Sequence, residues 1–167
     1  MLAVLSDTHA DAAPSLTPHL EEVVQRTDGL IHAGDFTTEA ALDGFERVAD
    51  DLFAVAGNRD SAAIRDRLPA QRVVERFGRR LLVVHGHQHS ATALHLLARQ
   101  EEADVAIVGH SHRPTIEREG DLILLNPGSH ADPRRYRPGY AVVEDAGSGV
   151  RVRLRSVSGD DIRSVSV

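Results

Sequence analysis

Short apolar runs alternate with amphipathic stretches along the first half of the chain. Continuous apolar runs, typical of strands that are covered on both faces, occupy Leu2–Leu5, Leu30–Ile31 and Leu52–Val55. Between these runs, Pro14–Arg26 and Thr38–Val48 carry apolar residues at helical spacing, and a proline begins the first of them. The resulting order, strand–helix–strand–helix–strand, predicts a largely parallel sheet covered by helices.

The second half of the chain is richer in strands. Helical patterns occupy Ser61–Arg67 and Thr92–Gln100, and two strand-like runs, Arg72–Phe77 and Arg80–Val84, predict a hairpin that turns at Gly78-Arg79. The remaining strand-like runs are Val105–Val108, Thr115–Glu117, Leu122–Leu125, Tyr140–Glu144 and Val150–Arg155, with turns at Gly120-Asp121 and Ala146–Gly149. We expect the polar tail from Ser156 onward to fray.

Composition narrows the chemistry that this chain can perform. A length of 167 residues with 41% hydrophobic content predicts one domain over residues 1–167 with a buried core. The chain has no cysteine, which excludes disulfides, thiolate nucleophiles and zinc sites built on sulfur. All 19 basic residues are arginine, so a Walker A phosphate loop and a Schiff-base lysine are also excluded.

Charge and hydropathy point away from polymers and membranes. The net charge is −6, which disfavours a partner such as a long nucleic acid. The longest apolar runs are far shorter than the ~20 residues of a membrane helix, and the chain opens without the pattern of a signal peptide. We therefore expect a cytoplasmic protein that does not bind membranes.

Five clusters of polar residues each follow a predicted strand. They are Asp7-Thr8-His9, Gly34-Asp35, Gly57-Asn58-Arg59-Asp60, His85-Gly86-His87 and Gly109-His110-Ser111-His112. The carboxyl ends of parallel strands meet at one crevice, where ligands bind. In extended backbone, residues i and i+2 face the same side, so both side chains of an Asp-x-His or His-x-His pair can reach one ion. The clusters together predict a metal site.

Each cluster taken alone also has a purely structural explanation. Asp35 and Asp60 could cap the helices that follow them, and Asn58 could be an ordinary turn residue. Five such clusters at successive strand ends favour the metal site instead. Within the fourth cluster and the residues that follow it, we interpret His85 as a ligand, His87 as a neighbour of the ligands or a substrate contact, and His89 as part of a solvated loop.

Apart from His89, four histidines stand outside the clusters. We expect them to be surface residues or hydrogen-bonded polar residues without a role in the site. They are His19, His32, His95 and His130.

The ordered set of clusters resembles the calcineurin-like metallophosphoesterase family, and within it the small single-domain phosphodiesterases of bacteria and archaea. The similarity runs from Leu2 through the turn Asn126-Pro127-Gly128-Ser129 and so covers most of the chain. It implies an α/β fold, namely a four-layer α/β/β/α sandwich with two facing mixed sheets. It also implies a dinuclear metal centre at the upper edge of those sheets.

The resemblance assigns ligands position by position. Asp7, His9 and His112 would hold the first metal ion, Asn58, His85 and His110 the second, and Asp35 would bridge the two. Oxygen and imidazole donors without sulfur suit Mn, Ni, Fe or Zn, and the resemblance favours Mn or Ni.

The implied reaction is hydrolysis of small phosphodiesters by a hydroxide that the two ions share. The residues expected to act directly in catalysis are Asp35, Asn58, Arg59 and His110. The wider family has histidine where this chain has Arg59, and arginine cannot donate a proton to a leaving group because its pKa is above ~12. Arg59 is therefore expected to bind phosphate, as is His87, although a surface ion pair is an alternative for Arg59.

Three other functions compete with this interpretation. A non-catalytic binding scaffold shares the fold, as in the retromer subunit, but seven competent ligand positions are more than a scaffold needs. A serine hydrolase is disfavoured because Arg113 stands where the nucleophile elbow requires glycine. A nuclease acting on long polymers is disfavoured by the net charge. The partners that we expect are a small phosphodiester and further copies of the chain in a homodimer or tetramer.

Overall fold

The computed structural model describes residues 1–147 and 149–167, so that the predicted turn at Ala146–Gly149 lies partly outside the described residues. The described residues form helices α1 (Pro18–Gln25), α2 (Glu39–Val48), α3 (Ala62–Arg67) and α4 (Ala91–Gln100). The strands are β1 (Leu2–Leu5), β2 (Leu30–His32), β3 (Leu52–Ala54), β4 (Gln71–Arg76), β5 (Arg79–Val84), β6 (Val105–Ile107), β7 (Thr115–Glu119), β8 (Leu122–Asn126), β9 (Gly139–Asp145), β10 (Val150–Ser156) and β11 (Asp161–Ser166). Most of these bounds lie within one or two residues of the predicted ones.

The strands form two mixed sheets. The first has the order β11-β10-β9-β1-β2-β3, in which β1, β2 and β3 are parallel. The second has the order β4-β5-β6-β8-β7, in which β5, β6 and β8 are parallel. The other pairings, such as β9 with β1 and β4 with β5, are antiparallel.

The two sheets face each other, and helices cover their outer faces. A core cluster between the sheets joins Val4 and Ile31 of the first sheet to Val83 and Ile107 of the second. A separate cluster packs α1, α2 and α3 against the first sheet, and a third packs α4 against the second. Residues of β1 alternate between two of these clusters, which explains why its sequence is apolar throughout. The four-layer α/β/β/α sandwich is confirmed.

Each helix begins after a serine or threonine that caps it. The side chains of Thr17, Thr38, Ser61 and Ser90 accept a hydrogen bond from the backbone N–H three residues later. The predicted start of the first helix at Pro14 is wrong. The helix begins at Pro18, because Thr17 is the cap and Ser15 adopts the left-handed conformation at φ 52°. Pro14 instead packs closely against Gly44 of α2.

The prediction that the tail frays from Ser156 is also wrong. Residues 161–166 form β11, which pairs antiparallel with β10. Val150 and Val167 exchange backbone hydrogen bonds of 2.8 and 3.0 Å, and the side chains of Val165 and Val167 pack against the core between the sheets. These two valines, separated by one serine, have the period of a strand with one buried face.

The β4–β5 hairpin turns one residue earlier than predicted. Phe77 and Gly78 both have positive φ, 56° and 68°, the pattern of a type I′ turn that suits the twist of the flanking strands. In the part of the chain that the structure describes, no helix combines the length and the hydropathy that crossing a membrane requires.

Candidate metal centre

The loops that follow β1, β2, β3, β5 and β6 meet at one edge of the sandwich. Within the first sheet, the N–H of Asp7 donates to the carbonyl of Gly34 at 3.0 Å. Between the sheets, the N–H of His110 donates to both carboxylate oxygens of Asp7, at 3.1 and 3.0 Å. All five predicted clusters therefore belong to one site.

Most of the predicted ligands have an unusual backbone conformation. Five of them adopt left-handed φ angles between 47° and 66°, namely Asp7, His9, Asp35, His110 and His112. Non-glycine residues rarely adopt positive φ, and such strain concentrates at functional sites where the surrounding structure maintains it. Among the described residues, five of the ten non-glycine positions with positive φ are thus predicted ligands.

One group of donor atoms comes from the loops after β1 and β6. His112 Nε2 lies 3.4 Å from Asp7 Oδ1 and 3.2 Å from His9 Nε2. His9 Nε2 lies 3.9 Å from Asp7 Oδ1. The donor atoms of these three residues are close enough together to hold one metal ion.

A second group is centred on the side chain of Asn58. The Oδ1 atom of Asn58 lies 3.0 Å from His85 Nε2 and 3.0 Å from His110 Nδ1. Asp35 Oδ2 completes the group at 3.3 Å from His85 Nε2. An ion with bonds of about 2.1 Å keeps neighbouring ligands about 3.0 Å apart in an octahedron and about 3.4 Å apart in a tetrahedron, so these spacings fit one divalent ion.

Two carboxylates lie between the groups. Asp35 Oδ2 is 3.4 Å from His9 Nε2 and 3.3 Å from His85 Nε2, an arrangement compatible with the bridging role predicted for it. Asp7 also belongs to two sets of residues whose donor atoms could hold one metal ion. One set contains His9 and His112, and the other contains Asp35 and His85. The sequence analysis placed Asp7 on one ion only, because a spacing pattern does not show which loops approach across the two sheets.

The hydrogen bonds of two histidines indicate where their lone pairs point. His85 Nδ1 donates to the carbonyl of Ala33 at 2.7 Å, and His112 Nδ1 donates to the carbonyl of Asp132. These bonds assign the protons to Nδ1 and leave the Nε2 atoms as acceptors. Both Nε2 atoms then face oxygen acceptors of Asp35, Asn58 or Asp7. A cation between these groups would satisfy the ring nitrogens and the oxygens together, so the residues fit divalent metal ions.

Burial and charge shift the ionisation of these groups. Burial raises the pKa of Asp7 and lowers the pKa of His9. Burial would also raise the pKa of Asp35, but the His85 ring and the N–H of Arg59 outweigh it and lower the pKa. Burial is the largest single influence on His85 and opposes its charge, but Asp35, Asp7 and the carbonyl of Ala33 together outweigh burial and raise the pKa of His85. The site therefore holds an ionised Asp35 in an environment that favours positive charge beside it.

Asp60 supports the site without facing it. Its carboxylate accepts hydrogen bonds from the N–H groups of Gly57, Thr37 and Asp35 at 2.6, 2.8 and 3.1 Å. It thereby joins the loops that carry Asp35 and Asn58. The alternative that Asp60 caps α3 is wrong, because Ser61 is the cap.

Two glycines are required by close packing. A Cβ at Gly57 would lie 2.2 Å from Asp35 Oδ1, and a Cβ at Gly109 would lie 2.0 Å from Ser6 Oγ and 2.9 Å from Asp7 Oδ2. Any larger residue at either position would displace a ligand carboxylate.

The turn Asn126-Pro127-Gly128-Ser129 forms hydrogen bonds with the loops after β1 and β6. Asn126 Nδ2 donates to the carbonyl of Gly109 at 2.8 Å and to Ser111 Oγ at 3.0 Å. Ser129 Oγ donates to the carbonyl of Asp7 at 2.7 Å. These bonds explain why this turn accompanies the five clusters.

Beneath the first group lies a buried histidine network. Thr8 Oγ1 is 2.8 Å from His32 Nε2 and 3.0 Å from His130 Nε2. His32 Nδ1 accepts a hydrogen bond from the N–H of Gly34, so the His32 proton lies on Nε2 and is donated to Thr8 Oγ1. The hydroxyl of Thr8 in turn donates a hydrogen bond to His130 Nε2. His32 and His130 are thus core residues, whereas His19 contacts the hydroxyl of Tyr140 and His95 pairs with Glu119 near the surface.

The remaining predicted residues lie at the rim. The Arg59 side chain is exposed and makes no hydrogen bond or ion pair with the described residues, so the surface ion pair considered for it is not observed. His87 is exposed, with its ring 5.4 Å from that of His85 and 6.2 Å from that of His110. His89 is half-buried, and its shielded Nδ1 has no partner among residues 1–147 and 149–167, which corrects its interpretation as a solvated loop residue.

Comparisons with known proteins agree with this geometry. Residues 1–147 match the calcineurin-like phosphoesterase superfamily domain. A probable metallophosphoesterase of Methanocaldococcus jannaschii is 34% identical over 139 residues, which cover 80% of this chain and 70% of the relative. Another protein of that archaeon, named a phosphodiesterase, is 25% identical over 139 residues, with coverage of 76% and 82%. The crystal structure of a Vps29 mutant from Entamoeba histolytica matches with a TM-score of 0.83 at 20% identity, covering 99% and 98% of the two chains, a likeness of fold alone.

Proposed function

The chain belongs to the calcineurin-like phosphoesterase superfamily, and from that premise we propose that it hydrolyses small phosphodiesters with two divalent metal ions. A metal-dependent phosphoesterase is the function of the family. The diester preference is supported by the related protein named a phosphodiesterase. The number of ions is supported by the presence of two donor groups, one around His112 and one around Asn58.

The observation that carries the proposal is the convergence of histidine Nε2 atoms and side-chain oxygens in two groups. His112 Nε2 faces Asp7, and His85 Nε2 faces Asp35 and Asn58. A purely structural polar cluster would pair donors with acceptors. When bound, two divalent ions supply Lewis-acid charge for a phosphoryl group and lower the pKa of a coordinated water.

The residues of the chain prepare the site for that chemistry. Asp60 and the N–H of Arg59 orient Asp35, while the carbonyls of Ala33 and Asp132 orient His85 and His112. Such preorganisation avoids reorienting dipoles as charge develops on the phosphoryl oxygens. No cysteine or lysine is needed as a nucleophile.

Arg59 is proposed to bind the phosphoryl group. It adjoins Asn58, and its guanidinium lacks a partner among the described residues. A planar guanidinium can hold two phosphate oxygens but cannot protonate an alkoxide. We therefore propose a preference for substrates whose leaving groups need no proton, with His87 as a second contact at the rim.

The proposed cofactors are Mn or Ni, with Fe or Zn also suited to the donors. Carboxylate, amide and imidazole groups without sulfur bind all four of these metals, so geometry and supply decide between them. The partners that we propose are small diesters and other copies of the chain.

The test uses the protein stripped of metal and then reloaded. We expect hydrolysis of bis(p-nitrophenyl) phosphate to be lost after chelation and restored best by Mn or Ni. The variant His95→Ala is the histidine control, because His95 pairs with Glu119 away from the site. Full activity in protein shown by elemental analysis to be free of metal would refute the proposal.

A binding scaffold remains the alternative, and the similarity to Vps29 extends to the fold only. The two functions predict different results in the same assay. Bound metal in elemental analysis without hydrolysis of any phosphomonoester or phosphodiester would favour the scaffold, whereas metal-dependent hydrolysis would favour the enzyme.

A further inference from the structure

A loop rich in arginine lies beside the metal centre. Residues 131–138, which we call the arginine loop, contain three arginines and Tyr136. The loop is fastened to two of the predicted ligands. The ring of His112 donates to the carbonyl of Asp132, and the N–H of Asp132 donates at 2.8 Å to Ser129 Oγ, which itself donates to the carbonyl of Asp7. The loop is therefore positioned by the same framework that positions the donor groups.

An open cavity lies between the arginine loop and Ser111, which belongs to the loop after β6. The cavity has a volume of about 320 Å³ and is lined by Ser111, Arg134, Arg135 and Tyr136. Its volume falls at the lower end of small-molecule sites. Neighbouring cavities are lined in part by apolar side chains such as Leu68 or Leu94, whereas this one is lined by cationic and hydroxyl groups. Its lining thus favours an anion.

The two arginines of the cavity are held differently. Arg134 has a left-handed backbone, with φ 53°, and makes no hydrogen bond or ion pair with the described residues. Arg135 lies over the Tyr136 ring at 5.3 Å and donates to the Tyr136 hydroxyl at 3.2 Å. One guanidinium is thus oriented by an aromatic partner, and the other is free to bind a ligand. A paired arginine site of this kind suits the planar, bidentate recognition of phosphate.

Arg134 places a positive charge at the rim of the metal centre, because it lines the cavity together with Ser111, the neighbour of His110. In a chain with net charge −6, a local concentration of positive charge also attracts an anionic ligand to this rim.

We propose that Arg134 and Arg135 form a second anion subsite, which selects phosphodiesters that carry an additional phosphate group on one of their ester arms. The scissile phosphate would lie at the metal centre and the additional phosphate in the cavity of the arginine loop. The inference rests on the proposed function and adds the class of substrate to it. The Tyr136 hydroxyl and Ser111 add neutral hydrogen-bonding groups to the cavity.

A matched pair of esters tests this subsite. Thymidine 5′-(p-nitrophenyl phosphate) and the same ester with a 3′-phosphate differ only in the second phosphate. The summed formation of p-nitrophenol and p-nitrophenyl phosphate, measured by chromatography, reports cleavage on either side of the scissile phosphorus. We expect the 3′-phosphate to raise kcat/KM about tenfold in the parent enzyme, equivalent to ~1.4 kcal/mol. The doubly substituted variant Arg134→Ala with Arg135→Ala should bring the ratio of the two esters near one.

Arg137→Ala is the control, because it removes the same charge from the arginine loop but from a residue that does not line the cavity. It should keep the ratio of the parent enzyme. A ratio near one in the parent, or a high ratio retained in the double variant, would overturn the inference while hydrolysis itself still supports the proposed function.

A binding measurement separates the two proposals if neither ester is hydrolysed. Calorimetry should show that thymidine 3′,5′-bisphosphate binds the metal-loaded protein about tenfold more tightly than thymidine 5′-phosphate. The preference should disappear in the double variant and persist in Arg137→Ala. Equal affinities for the two nucleotides would reject the subsite independently of any activity.

Discussion

The backbone N–H of Arg59 donates a 2.8 Å hydrogen bond to Oδ1 of Asp35, whose other oxygen lies between the rings of His9 and His85. One residue thus supports a predicted metal ligand through its main chain while its side chain faces solvent. Substitution at position 59 retains that main-chain bond. Effects of side-chain changes there can therefore be separated from effects on metal binding.

Replacing Asp35 should remove both metal ions together. Asp35→Asn keeps the shape of the side chain but removes the charge that lies between the two donor groups. We expect loss of bound metal, measured by elemental analysis after gel filtration, together with loss of hydrolysis. Asp121→Asn, on the exposed turn between β7 and β8, is the control and should behave as the parent. Two tightly bound ions in Asp35→Asn would show that the bridging assignment is wrong.

A comparison with Asp7→Asn refines that result. Asp7 takes part in both candidate clusters, and its carboxylate also accepts the N–H of His110 and the hydroxyl of Ser6. If Asp7 serves one ion, as the sequence analysis predicts, its variant should retain one ion per chain. Loss of both ions would identify Asp7 as a second shared ligand.

Asp60 should affect stability and metal binding without being a ligand. Asp60→Asn replaces one acceptor oxygen by an NH₂ group that faces backbone donors. We expect a loss of about 1–3 kcal/mol in the free energy of unfolding, as for an unsatisfied buried group, and weaker metal binding. Urea unfolding and metal titration measure the two effects. Asp66→Asn, on the exposed face of α3, is the matched control. An Asp60 variant equal to the parent in both measurements would contradict the supporting role.

The convergence of the five clusters could be predicted from the sequence, because each cluster is a short polar turn directly after a strand. The role of Asp60 and the double proximity of Asp7 depend on hydrogen bonds between loops that are distant in the chain, such as those from Asp35 to Asp60 and from His110 to Asp7. No periodicity contains that information. The sequence analysis did not predict β11, because most of its residues are serines or charged residues and only Val165 and the following Val167 show the alternating burial of a strand.

Buried histidines should make the protein less stable in mild acid. Burial lowers the pKa of His130 from 6.5 to about 4 and lowers that of His32 as well. Below pH 6.5 the unfolded chain binds a proton at position 130 that the folded chain does not, so stability falls by about 1.4 kcal/mol per pH unit as the pH drops from 6.5 toward 4. His32 adds a loss in the same direction below pH 6.5. Above pH 6.5 neither histidine contributes to a slope.

The variant His130→Gln tests this pH dependence. Glutamine can keep the hydrogen bond to Thr8 but does not titrate. We expect urea unfolding curves of His130→Gln to change less between pH 6.5 and 5 than those of the parent. His95→Ala is again the control, because His95 has a raised pKa and is not buried in the core. An unchanged slope in His130→Gln would show that other groups cause the acid sensitivity.

The side chain of Arg59 should act on the reacting phosphate and not on metal binding. Arg59→Ala retains the N–H bond to Asp35, so both metal ions should stay bound. Loss of a charge-assisted hydrogen bond to the phosphoryl oxygens should lower kcat/KM by roughly 10- to 150-fold, or ~1.5–3 kcal/mol.

Arg59→His should behave differently, because imidazole can donate a proton near neutral pH. It should favour esters with poor leaving groups over esters such as bis(p-nitrophenyl) phosphate. Kinetics on a leaving-group series, with metal content measured for each protein and Arg99→Ala as a remote charge control, separate the two effects. If Arg59→Ala matches the parent on every ester, the guanidinium does not contact the substrate, and the discrimination between leaving groups must come from another residue at the rim, with His87 the next to substitute.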